Sequence, residues 1–281
     1  MIFYFDTSAV NALYDDANRQ ALVERIRSLG QVRVSEVNVM EVIQNANVTR
    51  RHGILRLLDS LSEGMLPLAL PTLLVRRIAA AHARGESSFS SEVDRSSRDV
   101  VQALRSPELI DEHSRDVGLR WSAYVNNEFD SIAVGMREAA QAARASGREP
   151  WFRSASAAIR FLMISPGMQF KKFAAMMYLV ETGRQPSESD VSTVTSHPAW
   201  RLLFGATVLA MHRRSMRAER YGRSRVAGGA DLAQSVYLAF ADTFVTQDKG
   251  QRRALRFLSV LNRPSLCRVQ SYDSFRMSAF A

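Results

Sequence analysis

The sequence predicts an α/β fold: a central parallel sheet flanked by helices, interrupted by an all-helical insertion. Three observations carry this. Short apolar runs alternate with helix-periodic segments at both ends of the chain, as strands and helices of a parallel sheet do. The first run, Ile2-Phe3-Tyr4-Phe5, is apolar at every position, the pattern of a strand buried on both faces. The middle, from about 92 to 225, carries amphipathic helix patterns and no convincing strand.

Taken in order, the first strand ends at Asp6-Thr7-Ser8, and a helix follows with Ala9, Val10 and Leu13. A second helix, 18–29, places Leu22, Val23, Ile26 and Leu29 at helical spacing and stops at Gly30. Val32–Ser35 is the second strand, and the helix after it, 36–50, sets Val39, Val42, Ile43 and Ala46 on one side. A helical pattern runs on from 54 through Ile54, Leu57, Leu58 and Leu61. Leu66–Pro71 is extended because its two prolines forbid a regular helix, and 72–83 is helical again. Gly85–Ser91 is a Ser-rich boundary. In the middle, helices break at Pro107, Gly147–Pro150, Pro166-Gly167 and Pro186–Ser189, with helix starts at Ser187–Asp190 and Thr195–Pro198. After Gly228 a helix over 231–241 leads to the strand Thr243–Thr246, a helix over 250–261 and a last strand Leu266–Val269. Residues 1–85 and 226–281 therefore read as two parts of one core, and 86–225 as the insertion.

A chain of 281 residues is one large domain or two ordinary ones. Cys267, the single cysteine, excludes an internal disulfide framework and a cysteine-rich zinc site, and fits a reducing compartment. The N-terminus has no signal-peptide pattern, and the longest apolar runs, Phe173–Val180 and Leu202–Met211, are too short to cross a bilayer. The expectation is a cytoplasmic protein without a membrane partner. The net charge of +9, mainly from arginine, favours a polyanionic partner.

Chain direction decides where the acidic residues fall. Ligands of a parallel sheet bind beyond the carboxyl ends of its strands. Asp6 follows its strand directly, and Glu41 lies one to two helical turns from the same edge. A helix over 231–241 descends about 16 Å, and the strand after it climbs about 16 Å. Asp231 and Asp248 therefore return to one edge, whereas Asp242 is left at the opposite edge as a turn or capping residue. Four carboxylates that share a site need neutralising. Hard divalent cations, Mg²⁺ or Mn²⁺, take oxygen ligands and support phosphodiester cleavage.

The segments Phe3-Tyr4-Phe5-Asp6-Thr7-Ser8, Ser35-x-x-Asn38-x-x-Glu41, Asp231-Leu232-Ala233-Gln234 and Thr246-Gln247-Asp248 resemble those of PIN-domain nucleases. The resemblance covers residues 1–75 and 226–281, and the long insertion departs from the compact core of that family. It implies that Asp6, Glu41, Asp231 and Asp248 are catalytic residues holding one or two Mg²⁺ or Mn²⁺ ions. Thr246 would orient Asp248, and Asn38 and Asn45, three and four positions either side of Glu41, would support the site or contact substrate. The implied activity is hydrolysis of a phosphodiester to a 5′-phosphate, with RNA favoured over DNA. The insertion is left as a lid, a nucleic-acid platform, a homodimer surface or the dock of an inhibitory, antitoxin-like protein.

Plainer readings stand beside these. Asp6 and Asp231 also read as helix caps and Asp248 as the start of a turn. Glu41 lies inside a helix and has no such role. The run Arg213, Arg214, Arg217, Arg220, Arg223 and Arg225 is either a solvated face or a set of phosphate contacts, the latter favoured because only Glu219 opposes it. Lys171-Lys172 reads as an exposed face, and Trp121, Trp151 and Trp200 as core, with base stacking the alternative. The rival functions are an inactive PIN-like RNA-binding or scaffold protein and a phosphatase with a similar acidic pocket.

Overall fold

The computed structural model of the chain describes residues 1–92, 98–120, 123, 145, 154–164, 169–216, 229–262 and 267–280. It is an α/β fold around a four-stranded sheet. β1 (Ile2–Phe5) leads into α1 (Thr7–Asp15) and α2 (Arg19–Leu29). The turn from α2 into β2 (Gln31–Arg33) needs Gly30, because a Cβ there would stand 2.1 Å from the Met1 carbonyl oxygen. That close approach lets the Gln31 amide reach the same oxygen at 2.9 Å and start the pairing of β1 with β2.

β2 is shorter than the sequence suggests. Val34 and Ser35 leave β1 for the extended segment around Leu68, whose amide donates to Val34 O and whose carbonyl accepts from Glu36 N, both at 2.8 Å. α3 (Glu36–Ile43) also stops earlier than expected. Asn45 accepts from the Asn47 amide, and Asn47 caps α4 (Val48–Ser62) through Arg50 N. Two asparagines that bond their own backbone compete with helix continuation and restart the chain in a new direction. Pro71, with no N–H to lose, opens α5 (Pro71–Ala83).

Between 98 and 216 the described regular elements are all helical. They are α6 (Arg98–Arg105), a 3₁₀ turn at Pro107–Leu109, α7 (112–120), α8 (Ala155–Ile164), α9 (Gln169–Thr182), α10 (Glu188–Ser196) and α11 (Pro198–Met216). The Ser187–Asp190 capping box and Pro198 start α10 and α11 as expected. Then come α12 (Gly229–Ala233), a 3₁₀ helix (Gln234–Ala239), β3 (Thr243–Thr246), α13 (Lys249–Leu258), a 3₁₀ turn (Ser259–Asn262), β4 (Arg268–Ser271) and α14 (Tyr272–Phe280). β4 lies two residues beyond the apolar run that suggested it. α14 had no counterpart in the sequence reading.

All strand pairs are parallel, in the order β2-β1-β3-β4. Strand alternation sends Phe3, Phe5 and Val245 to one face, against α1, α2, α4, α6 and α14. Tyr4, Phe244 and Val269 face the other way, into a cluster with residues of α5, α8, α9, α10 and α11. The helices α8 to α11 thus cover one face of the sheet. Trp200 is fully buried there, a core residue; Trp121 and Trp151 lie outside the described residues, and Lys171 and Lys172 are exposed. Among the described residues, no helix is long and apolar enough to cross a membrane.

Candidate functional site

β1 is flanked by β2 on one side and by β3 on the other, so the chain's connections leave it in opposite directions. Such a reversal opens a crevice beyond the carboxyl ends of the two diverging strands. Asp6 follows β1 at this edge, its amide bonded to Val245 O at 3.1 Å, and Asp248 lies two residues past β3. Asp242 occupies the opposite edge, where its carboxylate accepts from Ile2 N at 2.7 Å and its carbonyl from Arg268 N at 2.8 Å. It pins the lower ends of β1, β3 and β4; the single helix expected over 231–241 is instead α12 followed by a 3₁₀ helix.

Asp6 is 3% exposed. It caps α1 by accepting the Ala9 amide at 2.8 Å, and it also receives the Thr246 hydroxyl at 2.8 Å and the Ser8 hydroxyl at 2.9 Å. Burial pushes its carboxyl up to about 7, with nearby Asp231 adding to the rise; the Ala9 amide and the Thr246 and Ser8 hydroxyls pull the other way. Capping and membership of an acidic site therefore coexist in one residue.

Glu41 lies partly buried in α3, five residues past its start and about 7 Å along the axis. Burial pushes it up to about 8, and Asp231 and Asp6 push in the same direction, opposed by a hydrogen bond from Thr7. Asn38, fully buried, sets that hydroxyl: its Nδ2 donates to Thr7 Oγ1 and to Phe5 O, both at 3.2 Å, while its Oδ1 completes the capping box on Ser35. Gln234 Nε2 donates to Glu41 at 3.5 Å. Below these groups Tyr4 stacks on Tyr237 at 4.7 Å, and its hydroxyl meets Ser35 Oγ at 2.8 Å and Gln234 Oε1 at 3.3 Å. Burial raises both phenols, so the floor of the site is neutral.

Asp231 is in the first turn of α12, inside the helix and not at its cap position. Asp6, Glu41 and Asp231 are thus three carboxylates that feel one another. Asp248 stands apart from them. It is exposed, and its Oδ1 caps α13 by accepting Gln251 N at 2.6 Å; only its backbone amide joins the site, through Ser8 Oγ and Thr246 Oγ1, each at 3.1 Å.

Two supporting roles change. Thr246 donates to the Asp6 carboxylate and accepts from the Asp248 amide; it does not orient the Asp248 carboxylate. Asn45 is past the end of α3, turned to the Asn47 amide, so it does not share the helix face of Glu41. Of the arginine run, Arg213 is partly exposed and Arg214 belongs to the last turn of α11, which packs against the helix bearing Asp231. Arg217, Arg220, Arg223 and Arg225 lie outside the described residues.

Gln234 and Gln251, each 1% exposed, were missed. The signal was present twice: Asp231-x-x-Gln234 and Asp248-x-x-Gln251 put a glutamine one turn below each late aspartate. Among the described residues no three His, Cys, Asp or Glu side chains form a ready-made metal cage. By donor chemistry the oxygen-only set fits a hard cation, but a cation would have to draw Asp6, Glu41 and Asp231 inward. The cavities of about 310 Å³ beside Ile159 and Phe257 and about 560 Å³ beside Met65 and Arg105 are lined by other residues. Comparison with protein-family models, with curated proteins and with solved structures finds no match to this chain.

Proposed function

We propose that this chain is a metal-dependent phosphodiesterase, a PIN-like nuclease acting on RNA in preference to DNA. The observation that carries the proposal is the cluster of Asp6, Glu41 and Asp231 at the reversal point of the sheet, with two of the three held near or above neutral pH by burial and mutual repulsion. Groups so arranged are costly unless a cation or a proton relieves them. Mg²⁺ or Mn²⁺, held by Asp6, Glu41 and Asp231, would supply Lewis acidity and an activated water. Ser8 and Thr246 hold the Asp6 carboxylate in place, Thr7 and Gln234 hold Glu41, and the phenols beneath stay neutral. Arg213 and the arginines after it would fix the phosphate backbone beside Asp231. One buried cysteine, Cys267, supports placing this activity in the reducing cytoplasm.

A second reading, an inactive scaffold of the same fold, is favoured by one feature: Asp248 spends its carboxylate on capping α13. Cleavage of an oligoribonucleotide in Mg²⁺ or Mn²⁺ separates the two. Asp231→Asn should lower the rate at least about a hundredfold, whereas Asp242→Asn, at the far edge, should leave it within twofold. Equal rates for both variants would overturn the nuclease reading.

A further inference from the structure

Gln251 touches the segments that deliver Asp231 and Asp248 to this edge, and reaches Asp6 through Thr246. Its backbone amide donates to Asp248 Oδ1 at 2.6 Å. Its side-chain oxygen lies 2.8 Å from the Thr246 hydroxyl and shares that hydroxyl's single hydrogen with Asp6, also at 2.8 Å. Its side-chain nitrogen donates to the backbone carbonyl of Asp231 at 3.4 Å. The residue is on the first turn of α13, yet its amide is almost wholly enclosed. A side-chain amide there has no solvent to satisfy it, so its position is set by its two partners, Thr246 and Asp231, and theirs by it.

We propose that Gln251 is the positioning residue of the site: it locks α12, β3 and α13 together so that Asp231 and Asp6 present their carboxylates to one cation. This rests on the metal-dependent reading above and adds to it a residue that supplies no ligand. A carboxylate site assembled from distant segments depends on how well those segments are fixed. α12 is short, and the Gln251 amide bonds the Asp231 backbone from the first turn of α13. Gln251→Met preserves volume and backbone while removing both amide contacts.

The test is Mn²⁺ binding to the full chain without nucleic acid, read by calorimetry or electron paramagnetic resonance, together with the melting temperature in EDTA. Gln251→Met should weaken Mn²⁺ binding about ten- to a hundredfold. Gln270→Met, a glutamine buried in β4 away from these carboxylates, serves as the control for a merely structural loss and should leave the affinity within twofold. Should Gln251→Met not fold, Gln251→Asn, whose shorter amide cannot span from Thr246 to the Asp231 carbonyl, tests the same bridge and should weaken binding similarly. Unchanged affinity in the folded variant overturns the positioning role alone. Mn²⁺ binding by the unaltered chain without cleavage of RNA or DNA overturns the nuclease reading alone. No Mn²⁺ binding by the unaltered chain overturns both.

Discussion

Asp6→Asn should lower cleavage about a thousandfold, equivalent to ~4 kcal/mol of transition-state stabilisation, and should also make the metal-free protein more stable at pH 8. The first effect follows from the proposed metal-holding role of Asp6 at the reversal point of the sheet. The second follows from the surroundings. An ionised Asp6 is buried beside two other carboxylates, and a neutral amide of the same shape removes that repulsion. Asn keeps an oxygen for the Ala9 amide. The Thr246 hydroxyl can turn its hydrogen to Gln251 Oε1 at 2.8 Å, which frees its lone pair for the new amide. A gain of roughly 5 °C in melting temperature is the expected scale. Loss of activity with loss of stability would instead mark Asp6 as a helix cap and nothing more.

The second large effect concerns pH. The Asp6 carboxyl rises from an ordinary 3.8 to about 7 on folding, and Glu41 from 4.5 to about 8. A raised carboxyl means that the folded state keeps a proton which the unfolded chain has already released. The unfolded state then binds fewer protons, and stability falls as pH rises. The stabilisation is complete below about pH 4 and lost by about pH 8. Asp190, whose carboxyl is lowered to about 2 by the Ser187 amide and hydroxyl and by His82, acts only in acid, below this window. In EDTA the melting temperature should therefore drop between pH 5 and pH 8. Mn²⁺ should restore it at pH 8 and do little at pH 5, where protons compete for the same oxygens. The double variant Asp6→Asn, Glu41→Gln should flatten both trends. A flat profile in the unaltered protein, or an equal Mn²⁺ shift at both pH values, would contradict the coupling of these groups.

Much of the fold was legible because the N-terminal elements are simple. Ile2–Phe5 is apolar on both faces, Gly30 stops α2, and the Ser187–Asp190 and Thr195–Pro198 segments open helices. The errors have physical causes. α3 ends at Ile43 because Asn45 and Asn47 offer the backbone better local bonds than the helix does. β4 was placed two residues early because it buries Gln270 and Ser271, polar residues that break an apolar run. β2 ends at Arg33, short of Ser35, because Leu68, far away in sequence, captures Val34 and Ser35.

The site was partly legible for a related reason. Edge placement depends on chain direction and element length, which the sequence carries, so Asp6, Glu41 and Asp231 converge and Asp242 does not. Side-chain commitments are not carried that way. Asp248 reaches the correct edge but turns to cap α13, and Thr246 turns to Asp6. Gln234 and Gln251 stayed hidden because a buried glutamine looks like a surface one until its partners are placed.

Locating bound Mn²⁺ by anomalous diffraction from crystals soaked at millimolar metal tests the central claim most directly. A peak is expected at the reversal point between β1 and β3, touching oxygens of Asp6, Glu41 and Asp231. An empty edge, or a peak held by other residues while these three carboxylates keep their metal-free contacts, would contradict it.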